Sequence, residues 1–355
     1  MKKVFYPLLL CIALSSIEAK AQNGFNQLIK STPADATKLI QAYAEPLFKG
    51  VGYGMNSGWT NTARANDFLH LDIRISATAV MVPASDQTFD VTKIGLSNHV
   101  GPDNSSNAIA PTFGGNKNAT GPVMDIYDNG RKIANFTMPG GQLSYVPTPQ
   151  IQLTLGVAPN TDISVRGIPK ITPSNDLGSV SLIGVGIKHD LLKDFVDKDA
   201  HYPVSNFDFA IALGYNHLNY KKGLSVNPDQ GAQPANSQGS TDFSNQSMVG
   251  HFNSFMVQAI ASRKIGIFTP FIAVAYNTAT TDASVIGNYP VTTSANALGQ
   301  QYYTTFTNPV TIHEKSVNNV RGDIGFQLKV KVIRLYASYG LAQYQSVNAG
   351  IGFGF

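Results

Sequence analysis

QSVNAGIGFGF, residues 345–355, runs on a period of two. Val347, Ala349, Ile351, Phe353 and Phe355 share one parity, and Ser346, Asn348, Gly350, Gly352 and Gly354 share the other. Two is the strand period, because successive side chains of an extended chain project to opposite faces. The stretch therefore presents one greasy face and one small, mildly polar face, and it ends on an aromatic.

The same rhythm recurs along the chain. Leu71, Ile73 and Ile75 alternate with Asp72, Arg74 and Ser76; Ile151, Leu153 and Leu155 alternate with Gln152 and Thr154. Residues 162–168, 183–187, 207–215, 320–330 and 333–339 repeat it, and 91–96, 252–262 and 265–276 bring the expected strands to 11. A soluble sandwich also alternates, but its outer face carries long charged side chains. Here only 14% of residues are charged, against about a quarter in a typical soluble domain. The polar parity is Gly, Ala, Ser, Thr, Asn and Gln, which suits an enclosed lumen, while the greasy parity suits lipid.

The reading is an all-β fold, a transmembrane antiparallel β-barrel with a short N-terminal helical segment. A tilted span needs about 9–11 residues, which points to about 14 strands, or alternatively 12, since single-chain bacterial barrels are even-numbered. The missing strands would fall in 97–149 or 280–316, where VMDIYD, RKIANFT and QQYYTTFT are ambiguous. Tight turns at 263–264 and 330–332 alternate with long connections at 220–248 and 280–316. That fits short periplasmic turns, long external loops and a periplasmic C-terminus.

The N-terminus divides the chain further. Lys2 and Lys3, the apolar run Val4–Leu14 and Ala19-Lys20-Ala21 have the form of a cleaved secretory signal over residues 1–21. Cys11 is the only cysteine and falls inside it, so the remainder carries no thiol. Loss of Lys2, Lys3, Lys20 and Glu18 leaves a nearly neutral chain, which argues against nucleic acid as a partner. Residues 22–66 form the next unit and 67–355 the barrel. Thr32 is positioned to cap a helix begun by Pro33, whose stripe Leu39, Ile40 and Tyr43 would either plug the lumen or lie in the periplasm. Pro46 disturbs this helix, Gly50 ends it, and GVGYGMNSGW reads as an irregular linker.

QSVNAGIGFGF resembles the terminal insertion signal of bacterial outer-membrane barrels, which implies recognition by the barrel-assembly machinery and a location in the outer membrane of a Gram-negative bacterium, among its lipids. GWTNTARANDFLHLDIRISATAVMVP, PTPQIQLTLGVAPNTDISVRGIPK and GVGIKHDLL resemble an uncharacterised family of outer-membrane barrels. That family is distantly similar to the long-chain fatty-acid (FadL-like) transporters, which are 14-stranded with an N-terminal plug.

Inward parity carries Arg74, Arg166, Lys188, Arg321, Lys329 and Arg334 against Asp72, Asp208 and Asp323. These charges would either favour anionic solutes or brace neighbouring strands in pairs. No ligand-contacting residue can be assigned. HEKSV at 313 lacks the second histidine of a zinc motif, the glycines miss the dinucleotide fingerprint, and no G-x-S-x-G occurs, so no cofactor, metal or catalytic residue is expected. The leading expectation is passive passage of a small hydrophobic or amphipathic molecule. A structural barrel displaying its long loops is the alternative, and a lipid hydrolase built on His217 and His251 with Ser225 or Ser247 is the remote one.

Overall fold

The computed structural model describes residues 20–105, 107–174, 177–195, 206–236 and 239–355. The apolar run read as the core of a signal peptide lies outside the described residues. The elements in chain order are α1 (Lys20–Leu28), α2 (Pro33–Asn56), β1 (Leu71–Met81), β2 (Thr88–Asp90), β3 (Val100–Pro102), β4 (Ile109–Pro111), β5 (Val123–Asp128), β6 (Arg131–Thr137), β7 (Tyr145–Ala158), β8 (Thr161–Ser174), β9 (Gly178–Asp190), α3 (Leu192–Phe195), β10 (Phe207–Gly223), β11 (Gln233–Pro234), β12 (Ser247–Arg263), β13 (Phe268–Ile286), β14 (Asn288–Ala295), β15 (Gln301–Thr307), β16 (Val310–Val330), β17 (Ile333–Leu341) and β18 (Ser346–Gly354).

Ten strands close an antiparallel barrel in the order β1-β18-β17-β16-β13-β12-β10-β9-β8-β7. β18 zips the first strand to the rest: Ile351 faces Ile75 on β1 and Leu335 on β17. The expected 14 strands are thus corrected to ten, for two reasons. Residues 91–96 are turns and bends rather than a strand. The ambiguous stretches VMDIYD, RKIANFT and QQYYTTFT do form strands, but in small separate sheets, β3-β5-β6 and β11-β15-β14. The residues assigned to extra spans instead lengthen four walls: β10 and β12 have 17 residues each, β13 has 19 and β16 has 21.

The greasy parity faces outward. Ile183, Val185, Ile211, Leu213, Ile272, Val274, Val320 and Ile324 are all exposed, and together they wrap the barrel in an apolar belt. Tyr145, Tyr215, Tyr276 and Tyr339 are exposed on the same surface. One barrel end carries short turns, as at 159–160, 264–267 and 331–332. The other carries the connections 82–144, 224–246 and 287–309, which build a cap.

The N-terminal segment runs through the barrel from the cap to the turn end. α1 and the start of α2 lie in the cap, where Lys30 pairs with Asp229 at 2.8 Å and Asp35 accepts bonds from the Ser97 amide and hydroxyl at 2.8 and 2.6 Å. Thr32 does precede Pro33 at the helix start, but its hydroxyl bonds the Asp35 carboxylate rather than capping an amide. α2 does not stop at Gly50. It continues through Pro46 and GVGYG to Asn56 in mid-barrel. From there residues 57–66 descend: Ala63 N donates to Ser262 Oγ at 3.0 Å, Arg64 meets Asp208 at 3.1 Å, and Asn66 N reaches Asp162 at 2.8 Å, all near the turn end.

The linker reading of GVGYGMNSGW fails because its glycines serve close approach. A Cβ on Gly52 would come within 2.8 Å of both Ala279 and Val317, and one on Gly50 or Gly54 would run into Val146 or Thr148. Glycine costs an isolated helix about 1 kcal/mol per residue, but only glycine lets this helix fit between the walls.

Candidate functional site

Two regions of the lumen carry chemistry: a polar latch at mid-barrel and a greasy cavity above it. The latch follows from the helix end. The last carbonyls of α2 have no intrahelical donor and carry the negative pole of the helix. Arg166 Nη1 donates to Met55 O at 2.8 Å and Ser57 O at 3.1 Å, and its guanidinium is held by Gln152 Oε1 at 2.9 Å. Arg321 reaches Asn56 O at 3.2 Å and Arg74 reaches Trp59 O at 2.8 Å. Asn216 bonds Met55 O at 3.0 Å, and Gln150 bonds Gly54 O at 2.7 Å. Four wall side chains, Arg166, Arg321, Asn216 and Gln150, thus replace the water those carbonyls would otherwise need, and Arg74 does the same for Trp59 just beyond the helix.

Trp59 completes the latch. Its ring lies on a floor of two paired glycines, where a Cβ on Gly186 or Gly214 would approach the indole to 2.7 and 2.6 Å. The Arg166 guanidinium stacks on the ring at 3.9 Å from its centroid, a cation–π contact in a dry setting.

All nine inward-parity charges stand on the lumen side, and most have partners. Arg334 pairs with Asp72 at 2.8 Å and Arg321 with Asp323 at 2.9 Å. Lys188 pairs with Asp162 at 3.0 Å, and Asp208 also takes Lys193 at 3.2 Å. Lys329 stands opposite Arg334 in the ladder. These cations therefore face the plug and the acids of the wall. Val347, Ala349, Ile351 and Phe353 lie on the outward face of β18, and Phe355 follows it.

Above the latch, a cavity of about 330 Å³ lies between α2 and the upper walls. Ile40 and Tyr43, two of the three expected plug residues, line it together with Phe48, Leu218, Phe252 and Ile312. Leu39 is buried in the adjoining core cluster. Among the described residues Lys222 is the only charged side chain in the lining.

The wall beside the cavity is split. The β7–β8 ladder ends at Ile151↔Gly167. Above it, residues 145–150 of β7 pair only with β1, while β8 beyond Gly167 pairs only with β9. Pro147 and Pro149 stand on one lip, and Pro169 and Pro173 on the other. Proline has no N–H to donate, so these edges cannot close with a full ladder. Val146 to Pro149 and Ile168, Ile171 and Pro173 also line the cavity, which therefore reaches the notch. Tyr145 stands exposed at its upper edge.

His217 and His251 do meet, stacked at 6.2 Å between centroids. Their ring nitrogens bond Asn253 at 2.8 Å and Asn219 at 2.6 Å, with no serine contact among the described residues. Sequence reading missed Trp59, the glycine floor and the cavity. The one visible signal was the chain's lone tryptophan directly after a glycine-rich run.

The molecule is a closed ten-stranded β-barrel with an apolar outer belt and a helix threaded through its lumen. The chain belongs to a family of unknown function, DUF6588, whose profile matches residues 1–355. No curated protein matches it. Among solved structures it is similar to the outer-membrane protease OmpT of Escherichia coli, at 10% identity and a TM-score of 0.32, covering 84% of this chain and 100% of that one. It is also similar to Ail, the attachment invasion locus protein of Yersinia pestis, at 7% identity and 0.26, covering 81% and 100%. A third is the Pseudomonas putida toluene transporter TodX, at 8% identity and 0.29, covering 88% and 76%. Overlaps this loose carry no argument about function.

Proposed function

We propose that this protein is an outer-membrane barrel that admits a small hydrophobic molecule from the outer leaflet and releases it toward the periplasm. The observation that carries the reading is the apolar cavity continuous with the notch between β7 and β8. A lipid-dissolved molecule reaches the cavity through that notch without crossing the hydrated cap. An apolar belt around a barrel whose strands pair all the way round below the notch matches a bilayer, the notch lips carry prolines that have no N–H to leave unpaired, and the long loops then face outward. Below the cavity the plug fills the lumen, so release requires residues 57–66 to shift. The barrel-assembly machinery and outer-membrane lipid are its partners in this reading, and no chemistry is performed on the cargo.

The test uses cells whose lipopolysaccharide leaflet slows uptake of the fluorophore N-phenylnaphthylamine. Producing the barrel should speed uptake, and a Thr62→Cys, Ser262→Cys disulfide should remove the gain until a reductant is added. The two hydroxyls stand 3.2 Å apart. Equal uptake with and without the barrel would sink the proposal.

A further inference from the structure

We propose that the cavity takes an uncharged, compact molecule of about two fused rings bearing one hydroxyl or carbonyl, and that the Tyr220 hydroxyl reads that polar group. This rests on the reading of the cavity as a ligand site. Its volume of about 330 Å³ is roughly twice that of an engineered apolar cavity that binds benzene, about 150 Å³. A two-ring aromatic fits that volume.

Charge is disfavoured. Lys222, the only charged lining residue described, already takes part in an interaction of its own. A carboxylate brought among Leu218, Phe252 and Ile312 would lose its water without gaining a dedicated counter-ion.

Thr148 in the lining has its hydroxyl sealed from solvent, whereas Tyr220 stays half-buried. Tyr43 Oη and Gln142 Nε2 both donate to the Gly140 carbonyl, at 3.0 and 3.3 Å. Tyr220 lines the same cavity, half-buried, and no hydrogen bond joins its hydroxyl to the described residues. A phenol in an apolar wall selects a ligand oxygen, because one well-placed polar group among greasy ones fixes orientation.

The test measures equilibrium binding of radiolabelled naphthol, naphthalene and naphthoate to the full chain in lipid nanodiscs at neutral pH. An Ala44→Phe variant, with Leu218→Trp as a second filler, defines partition into lipid. Naphthol should bind saturably above the filled variants and naphthoate about tenfold more weakly. Tyr220→Phe should weaken naphthol about tenfold and leave naphthalene unchanged. Naphthoate binding as tightly as naphthol, or Tyr220→Phe affecting both neutral probes alike, overturns the assignment while the cavity stands as a site. No probe exceeding the filled variants overturns both.

Discussion

At Arg166 a rigid fork of donors meets carbonyls that a helix end leaves bare, at a position with no exposed surface. Hydrogen bonds to a charged group contribute about 1.5–3 kcal/mol each, so Arg166→Ala should cost about 3 kcal/mol or more and loosen the plug. Differential scanning should show the lowered melting temperature, and planar-bilayer recording should show new conductance. Arg166→Lys should recover only part, since an ammonium cannot span Gln152 and two carbonyls at once. An alanine variant that melts like the parent and stays silent removes the latch reading. Trp59 offers a second probe. Gly214→Val puts a side chain where the indole lies, so emission from the only tryptophan should shift red; unchanged emission means the ring is held otherwise.

At the scale of the element, α2 is stitched to the cap at Asp86, whose carboxylate takes Tyr344 Oη at 2.7 Å and Lys49 Nζ at 3.2 Å. Burial pushes this carboxyl up, but the bonds from Tyr344 and Ser85 and the Lys49 charge outweigh it and hold it below its ordinary value. A depressed carboxyl contributes stability that is complete above its unfolded value and lost as pH falls through the folded one. The protection of amides 82–90, measured as exchange relative to the intrinsic rate at the same pH, should therefore fall on acidification, and Asp86→Asn should flatten that dependence. A wild-type profile already flat contradicts it. In the same helix, Gly52→Leu should prevent seating between Ala279 and Val317, visible as loss of the folded band in heat-modified gel mobility.

For the whole molecule, threading from cap to turn end puts the start of the described chain on the side of the long loops. With those loops outside the cell, a cysteine at Asn26 should react with a membrane-impermeant maleimide on intact cells, as should one at Asn296 in the β14–β15 hairpin, while one at Lys331 should react only after permeabilisation. Labelling of Lys331→Cys but not Asn26→Cys on intact cells would reverse the orientation.

Residue parity was legible from the sequence, because the pleat is local: the inward charges, the outward greasy positions and all ten barrel runs follow from a period of two. The stripe Leu39, Ile40 and Tyr43 was legible for the same reason at helical period. The number of strands that close was not, since strand pairing also forms outside the barrel wherever a neighbour is available, and 91–96 bends away in turns instead. Nor was the path of GVGYG, whose glycines read as flexibility and serve instead as clearance against Val146, Ala279 and Thr148. The latch and the cavity depend on which distant residues share a height in the barrel, and closure alone decided that.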